Sequence, residues 1–149
     1  MSGQDTAFAG REVVADQLIR LGALVTGESR GNRRWLKAAW PDGRRWEVTV
    51  STRTSGTWQS NTTVADKEAV DDVTKLWAFA DLSVSPPRVY VSTRAALQRD
   101  IHWHHSDWLT RHGYVRWEDR ASTHHAISPA RVAGLHTGWP TTAALPGDP

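Results

Sequence analysis

The segment from residue 46 to residue 53 most constrains what this chain can fold into. Val48 and Val50 alternate there with polar residues, and β-branched residues at a period of two are typical of a strand. The turn-forming residues Pro41-Asp42-Gly43 precede this segment, and a short apolar run, 35–40, lies before the turn. The pattern therefore predicts a β-hairpin whose two faces carry alternate side chains.

The sequence before the hairpin has apolar residues at helical spacing, and a polar segment lies on each side of the hairpin. Apolar residues that recur every three or four positions, with a stop at Gly22, predict a first helix from about Thr6. Residues 23–26 are then expected to form a short strand. Residues 27–34 are expected to form a polar loop, and 61–75 a loop leading into a short exposed helix.

A second hairpin is predicted after this segment. Two apolar runs, 77–82 and 89–92, flank Pro86-Pro87, which a helix would not tolerate. Thr93 and Ser128 are positioned to cap two further helices, and Trp139 is expected to dock on the core. The sum predicts a mixed α/β (α+β) fold, with a central mixed sheet of about five strands flanked by helices.

Length and composition indicate one ordinary globular domain. With 149 residues we expect a single domain, 1–149, with flexible tails at 1–5 and 140–149. The absence of cysteine excludes disulfides, thiolate nucleophiles and Cys-based zinc sites. No apolar run approaches the roughly 18 residues that span a bilayer, and there is no signal-peptide pattern. A cytoplasmic protein without a membrane partner is therefore expected.

Several short strings, in order along the chain, resemble the motifs of one family. They are residues 10–22, Pro41-Asp42-Gly43, residues 48–53, Phe79-Ala80-Asp81-Leu82, residues 86–91 and Thr123-His124-His125-Ala126-Ile127. Together they resemble small bacterial members of the PD-(D/E)xK, or restriction-endonuclease-like, nuclease superfamily. The resemblance covers residues 10–139 and implies a restriction-endonuclease-like core.

The resemblance also implies where catalytic groups would lie. The family hydrolyses phosphodiesters with Mg²⁺, which an Asp and a Glu or Gln hold while a Lys on the same strand assists the attacking water. Matched to this pattern, the Asp position falls at Trp35, the Glu or Gln position at Thr49 and the Lys position at Ser51. The acid expected on the first helix is matched by Arg11, with Glu12 one residue later.

Trp, Thr and Ser offer no negative oxygen to Mg²⁺, so a degenerate active site without a cofactor is predicted. A shifted nuclease site is an alternative, with Glu47 as the acid and Lys37 or Arg53 as the cation, and it would retain Mg²⁺. If the site is degenerate, replacing Glu12 and Glu47 together by alanine should leave any measured cleavage unchanged.

Basic residues are concentrated in one quarter of the sequence, although the net charge is only +2. The candidates for binding DNA or RNA phosphates are Arg30, Arg33, Arg34, Lys37, Arg44 and Arg45. A solvated loop is the alternative interpretation of this cluster. The first functional hypothesis is therefore a non-cleaving nucleic-acid-binding or regulatory module.

Tryptophan, with nine residues, suggests a second hypothesis. Trp35 and Trp46 fall in the expected cleft, and Trp58 falls on the loop that leaves it. An aromatic cleft would suit a planar or cationic small molecule, with Trp35, Thr49, Ser51, Arg53 and Trp58 as the candidate pocket. Aromatic residues buried in the core are the alternative.

Histidines supply further candidates for acid–base chemistry or for lining that pocket. The candidates are His104, His105, His124 and His125. On a helix, His102 and His105 share a face, and the pair at 124–125 would join them if the chain folds back. A carboxylate from Asp81, Asp100 or Asp107 would complete a Zn²⁺ or Fe²⁺ site; a structural role in the core is the alternative.

Overall fold

The computed structural model describes residues 2–113 and 123–140, which contain three α-helices and seven β-strands. In chain order they are α1 (Gly3–Arg20), β1 (Leu24–Arg30), β2 (Arg33–Ala39), β3 (Arg45–Arg53), β4 (Trp58–Asn61), β5 (Lys75–Asp81), β6 (Arg88–Thr93), α2 (Arg94–Arg111), β7 (His124–Ile127) and α3 (Pro129–Leu135). Among these described segments, no helix combines the length and the apolar character that a membrane span requires.

Five strands form a central mixed sheet in the order β1-β2-β3-β5-β6. Neighbouring strands are antiparallel except β3 and β5, which run parallel with Val50 opposite Ala78. The predicted hairpins β2–β3 and β5–β6 are both present. Strands β4 and β7 form a separate antiparallel pair. The predicted mixed α/β fold with a five-stranded sheet is thus confirmed.

Helix α1 packs on one side of the sheet, which we call the α1 face. Val14 and Leu18 of α1 are fully buried in a core with Val48 of β3. At Gly10 the helix approaches β3 so closely that a Cβ atom would overlap the side chain of Thr52. Only glycine allows this approach, which fixes the helix against the strand.

Helix α2 packs on the opposite side of the sheet. Leu97 of α2 is fully buried with Phe79 of β5, and the β4–β7 pair contributes Trp58 and Ile127 to this second core. Alternation along β5 directs Ala78 to the first core and Phe79 to the second. Because α2 lies mainly against β5 and β6, it leaves β1 and β2 uncovered on its side.

Three tryptophans pack together on the α1 face. The rings of Trp40 and Trp46 lie 4.4 Å apart, and Trp139 stacks on Trp46 at 5.9 Å. The Trp139 Nε1 donates to Gln17 Oε1 at 3.0 Å, so the predicted docking of Trp139 is confirmed. Trp46 borders the cleft beside Trp35, but it is only 6% exposed, because alternation along β3 directs its ring into the α1 core.

Two segments differ from their predicted structure. Residues 27–34 form the ends of β1 and β2 rather than a loop, because an exposed strand pair needs no apolar residues. The helix predicted within 61–75 is wrong; one 3₁₀ turn, Thr62–Val64, is followed by turns. Asp66 and Asp72 each accept a backbone N–H two residues later at 2.9 Å, which competes with helical hydrogen bonding.

The predicted helix caps are confirmed. Thr93 and Ser128 each accept the backbone N–H three residues later at 3.2 Å. Helix α1 begins earlier than predicted because Ser2 and Asp5 form a capping box. Of the two predicted tails, residues 2–5 therefore belong to this cap and the first turn, and residues 141–149 lie outside the described residues.

Candidate nucleic-acid interface

Strands β1 and β2 and the first half of β3 present an uncovered surface on the α2 side of the sheet, which we call the open face. Directly paired residues point to the same side, so Lys37, Glu47 and Lys75 form one row across three strands. The open face comprises the cations Arg30, Arg33, Lys37, Arg45, Lys75 and Arg94, the acids Glu28 and Glu47, and Trp35. Its net charge is +4.

Glu47 lies among these cations beside a cleft of about 390 Å³. Its Oε1 accepts from Arg33 Nη2 at 2.7 Å and lies 3.6 Å from Arg94 Nη1. Lys37 and Lys75 are its cross-strand neighbours on either side. One carboxylate compensates only part of this charge, so the surface retains an excess of positive charge for an anionic partner.

Trp35 supplies the aromatic surface of the cleft. It is half-buried, and the guanidinium of Arg33 lies 4.8 Å from its ring centroid. This distance is typical of a cation–π contact. Aromatic rings and guanidinium planes both stack on nucleic-acid bases, so the pair offers a stacking platform within a basic surface.

The three positions that the family resemblance assigns to catalysis share the α2 side of the sheet. Alternation from Lys37 and Glu47 places Trp35, Thr49 and Ser51 on that side. Thr49 lies opposite Trp77, whose Nε1 donates to Ser51 Oγ at 2.9 Å. The expected positions therefore come together, but none of them carries a carboxylate or an ammonium group.

Glu12 and Glu47 lie on opposite sides of the sheet. Glu12 is exposed on α1, beside a groove that Asp16, Leu82 and Pro87 also line. Glu47 faces the other way, towards Arg94 at the start of α2. The two carboxylates therefore do not converge on one ion. Within residues 2–113 and 123–140, no three His, Asp or Glu side chains are grouped so as to hold a metal.

Arg53 and Trp58 are structural elements of the core rather than an accessible pocket. Trp58 lies in β4 and is 0% exposed, with its Nε1 donating to Ala80 O at 3.1 Å, so its predicted loop position is wrong. Arg53 packs over the Trp58 ring and donates to Asp81 Oδ2 at 2.9 Å. Burial acts to raise the pKa of Asp81, but hydrogen bonds from Ser83 and Arg53 outweigh it and hold that pKa below its usual value.

The predicted basic cluster is divided between the two sides of the sheet. Arg30, Arg33, Lys37 and Arg45 belong to the open face. Arg34 instead lines a groove beside the first turns of α1. Arg44 packs over Trp40 at 4.5 Å and pairs with Asp42 at 3.0 Å. The strand period of two explains why Arg33 and Arg34 lie on opposite sides, whereas Arg44 lies in the turn before β3.

The histidines meet at the junction of α2, β7 and α3. His105 is buried, and its ring centroid lies 6.1 Å from that of His125. Asp100 accepts from Arg131 Nη2 at 2.7 Å and lies 3.3 Å from His104 Nε2. Strand β7 thus brings the second histidine pair back onto α2, as the sequence suggested it could. His124, also in β7, is exposed.

Arg131 links this junction and explains the protonation state of His125. Its Nη2 lies 3.0 Å from His125 Nε2, and its Nη1 donates to Ala126 O at 3.2 Å. Burial, followed by the nearby Arg131 charge, lowers the pKa of His125 from 6.5 to about 4. A neutral His125 then accepts from Arg131, which is a structural role that joins α3 and β7 to α2.

Sequence reasoning missed three residues of the open face: Glu28, Lys75 and Arg94. Glu28 falls within a predicted loop, and Lys75 and Arg94 approach Glu47 only because β5 pairs in parallel with β3. A parallel neighbour distant in sequence leaves no local pattern that would reveal it.

The fold and this surface define a class: a mixed α/β protein with helices on both sides of a five-stranded sheet and an open, basic half-face. Comparison with protein-family models, with curated proteins and with solved structures finds no match.

Proposed function

We propose that this protein binds nucleic acid on its open face without cleaving it, as a nuclease-like module with a degenerate active site. The observation that carries the proposal is the arrangement of six cations and two carboxylates around Trp35. Phosphate groups are the anions that such an extended basic surface suits, and base stacking suits Trp35 with its attached guanidinium.

The order of elements supports the nuclease-like part of this proposal. Helix α1 and a three-stranded meander come first, and after β4 the chain adds β5 to the sheet parallel to β3. The positions that resemble the family's catalytic strand share the α2 side of the sheet. The chemistry at those positions supports the absence of cleavage, because Thr49 and Ser51 offer no charged oxygen to Mg²⁺.

Binding is tested by fluorescence anisotropy with labelled DNA and RNA over a range of salt concentrations. Lys37→Gln with Lys75→Gln removes two charges from the open face. The matched control, Arg20→Gln with Lys67→Gln, removes two exposed charges outside the open face and the β1–β2 turn. We expect the first pair to weaken binding on the order of tenfold and to reduce the salt slope by about 1.4 to 1.8. If the open-face variant and the control variant weaken binding equally, nucleic acid does not bind on the open face.

Cleavage is tested with the same substrates in Mg²⁺ or Mn²⁺. We expect no turnover above background, and no difference between the unaltered protein and the Glu12→Ala, Glu47→Ala double variant. Turnover that a chelator abolishes and that Glu47→Ala removes would instead establish the shifted nuclease site.

The alternative of a small-molecule pocket lined by tryptophan and histidine is less well supported. Trp58 and His105 are 0% and 2% exposed, so neither presents a surface to a ligand. The cleft beside Trp35 is lined mainly by charged side chains, and no histidine is among them. These residues are therefore distributed over different parts of the fold rather than around one cavity.

A further inference from the structure

The β1–β2 hairpin extends beyond the sheet as a two-stranded ribbon. The two strands pair along their whole length, from Leu24 opposite Ala39 to Arg30 opposite Arg33. Strand β2, however, pairs with β3 only over residues 36–39. Residues 28–35, including the turn, therefore form a ribbon hydrogen-bonded to no third strand, which we call the β-ribbon.

The turn of the β-ribbon is tight and well defined. Two residues, Gly31 and Asn32, connect the paired residues Arg30 and Arg33. Gly31 has φ +62°, which glycine adopts without the strain that a side chain would bring. A two-residue loop with glycine first matches the twist of the flanking strands and holds the tip in one shape.

The tip is exposed and strongly basic. Arg30, Asn32, Arg33 and Arg34 are all exposed. Arg30 and Arg33 point to the open face because they are directly paired, and Arg34 points to the α1 side. Positive charge is thus present on both faces of the hairpin tip, with Arg34 also bordering the groove beside the first turns of α1. This arrangement suits a partner with phosphates on two sides.

The dimensions and charge of the β-ribbon match the major groove of B-form DNA. Three residues of β2 lie beyond its last pair with β3, which is an extension of about 10 Å. The groove is about 12 Å wide and 8.5 Å deep, and it admits a two-stranded ribbon. We propose that the β-ribbon inserts into the major groove of double-stranded DNA; this inference rests on the proposed function.

The side chains at the tip suit the edges of bases. Arginine pairs bidentately with guanine, and asparagine pairs in the same way with adenine. Arg30 and Asn32 are the candidates for these contacts, because Arg33 is already engaged with Glu47 and Trp35. Arg34 would contact phosphates on one side of the groove, and Lys37 phosphates on the other. An RNA duplex is not expected to substitute, because its major groove is too deep and narrow for side chains to read.

The experiment begins with selection of preferred sites from a randomised DNA duplex. The protein is compared with Arg30→Ala, Asn32→Ala and the double variant, and Arg20→Ala serves as an exposed control on α1, outside the ribbon. We expect the unaltered protein and the control to enrich one short motif. The double variant should bind that motif roughly tenfold or more weakly, while its weaker, salt-dependent binding to other sequences is largely retained.

Two further measurements make the result decisive. Methyl green, which occupies the major groove, should displace the protein, whereas netropsin, which occupies the minor groove, should not. Equal thermal unfolding midpoints would show that the tip variants fold. Equal affinity for the single strand, displacement by netropsin alone, or no effect of the tip variants would overturn the groove assignment while leaving the proposed function in place. Failure to bind any nucleic acid would overturn both.

Discussion

Lowering the pH should destabilise the protein through His125, and the structure gives the size of the effect. Burial and the Arg131 charge lower the pKa of this imidazole from 6.5 to about 4. Between these values the unfolded chain binds a proton that the folded protein excludes. The stabilising contribution is therefore complete above pH 6.5 and is lost as the pH falls from 6.5 to 4.

The size of the pKa shift of His125 sets the maximum free energy that this residue contributes to stability. A shift of between two and three pKa units, at about 1.4 kcal/mol per unit, corresponds to roughly 3 kcal/mol. His125 is only half-buried, so solvent screening reduces the expected loss to about 1–2 kcal/mol.

The assay is urea unfolding, followed by tryptophan fluorescence, at several pH values between 7.5 and 4. His125→Gln serves as the comparison, because glutamine keeps an acceptor for Arg131 but does not titrate. We expect the unfolding free energy of the unaltered protein to fall more steeply with decreasing pH than that of the variant. The difference between the two proteins should reach about 1–2 kcal/mol at pH 4. Parallel curves for the two proteins would refute the lowered pKa of His125.

Three further predictions concern packing and charge. Gly10→Ala should destabilise the protein by about 1–3 kcal/mol, because the new methyl group overlaps Thr52; combining it with Thr52→Ala should recover part of the loss in the same urea assay. Arg53→Met should cost about 1–3 kcal/mol, because Asp81 loses its ion pair and keeps only its hydrogen bonds from Ser83, and unfolding at pH 7 that matches the unaltered protein would contradict this. Glu47→Ala should strengthen nucleic-acid binding measured by anisotropy, since it removes one negative charge from the open face.

Local patterns predicted most of the elements. Features that depend only on neighbours in sequence were predicted correctly and are present in the structure. They are the strand at residues 46–53, the turn at residues 41–43 and the helix caps at Thr93 and Ser128. The polar segment 27–34 was misassigned because apolar periodicity detects only strands that bury one face. An exposed ribbon has no such signature, although Gly31-Asn32 is a dipeptide that two-residue hairpins tolerate well.

The site was only partly predictable, because it depends on which strands become neighbours. Sequence alone predicts that Thr49 and Ser51 share one side of a strand, but not that the indole of Trp77 donates a hydrogen bond to Ser51. It also grouped Arg34 and Arg44 with the other cations, since charge clusters along a sequence do not show which side of a sheet each residue occupies. The parallel pairing of β3 and β5, which brings Lys75 beside Glu47, is set by long-range packing.

The chain contains three lysines, all exposed, and they allow the central claim to be tested in one measurement. Lys37 and Lys75 belong to the open face, whereas Lys67 lies in the turns before β5. Acetylation of each lysine is measured by mass spectrometry with and without saturating duplex DNA. Binding on the open face predicts severalfold protection of Lys37 and Lys75, reversed by high salt, with Lys67 unaffected. Equal labelling of all three lysines in the presence of bound DNA would contradict it.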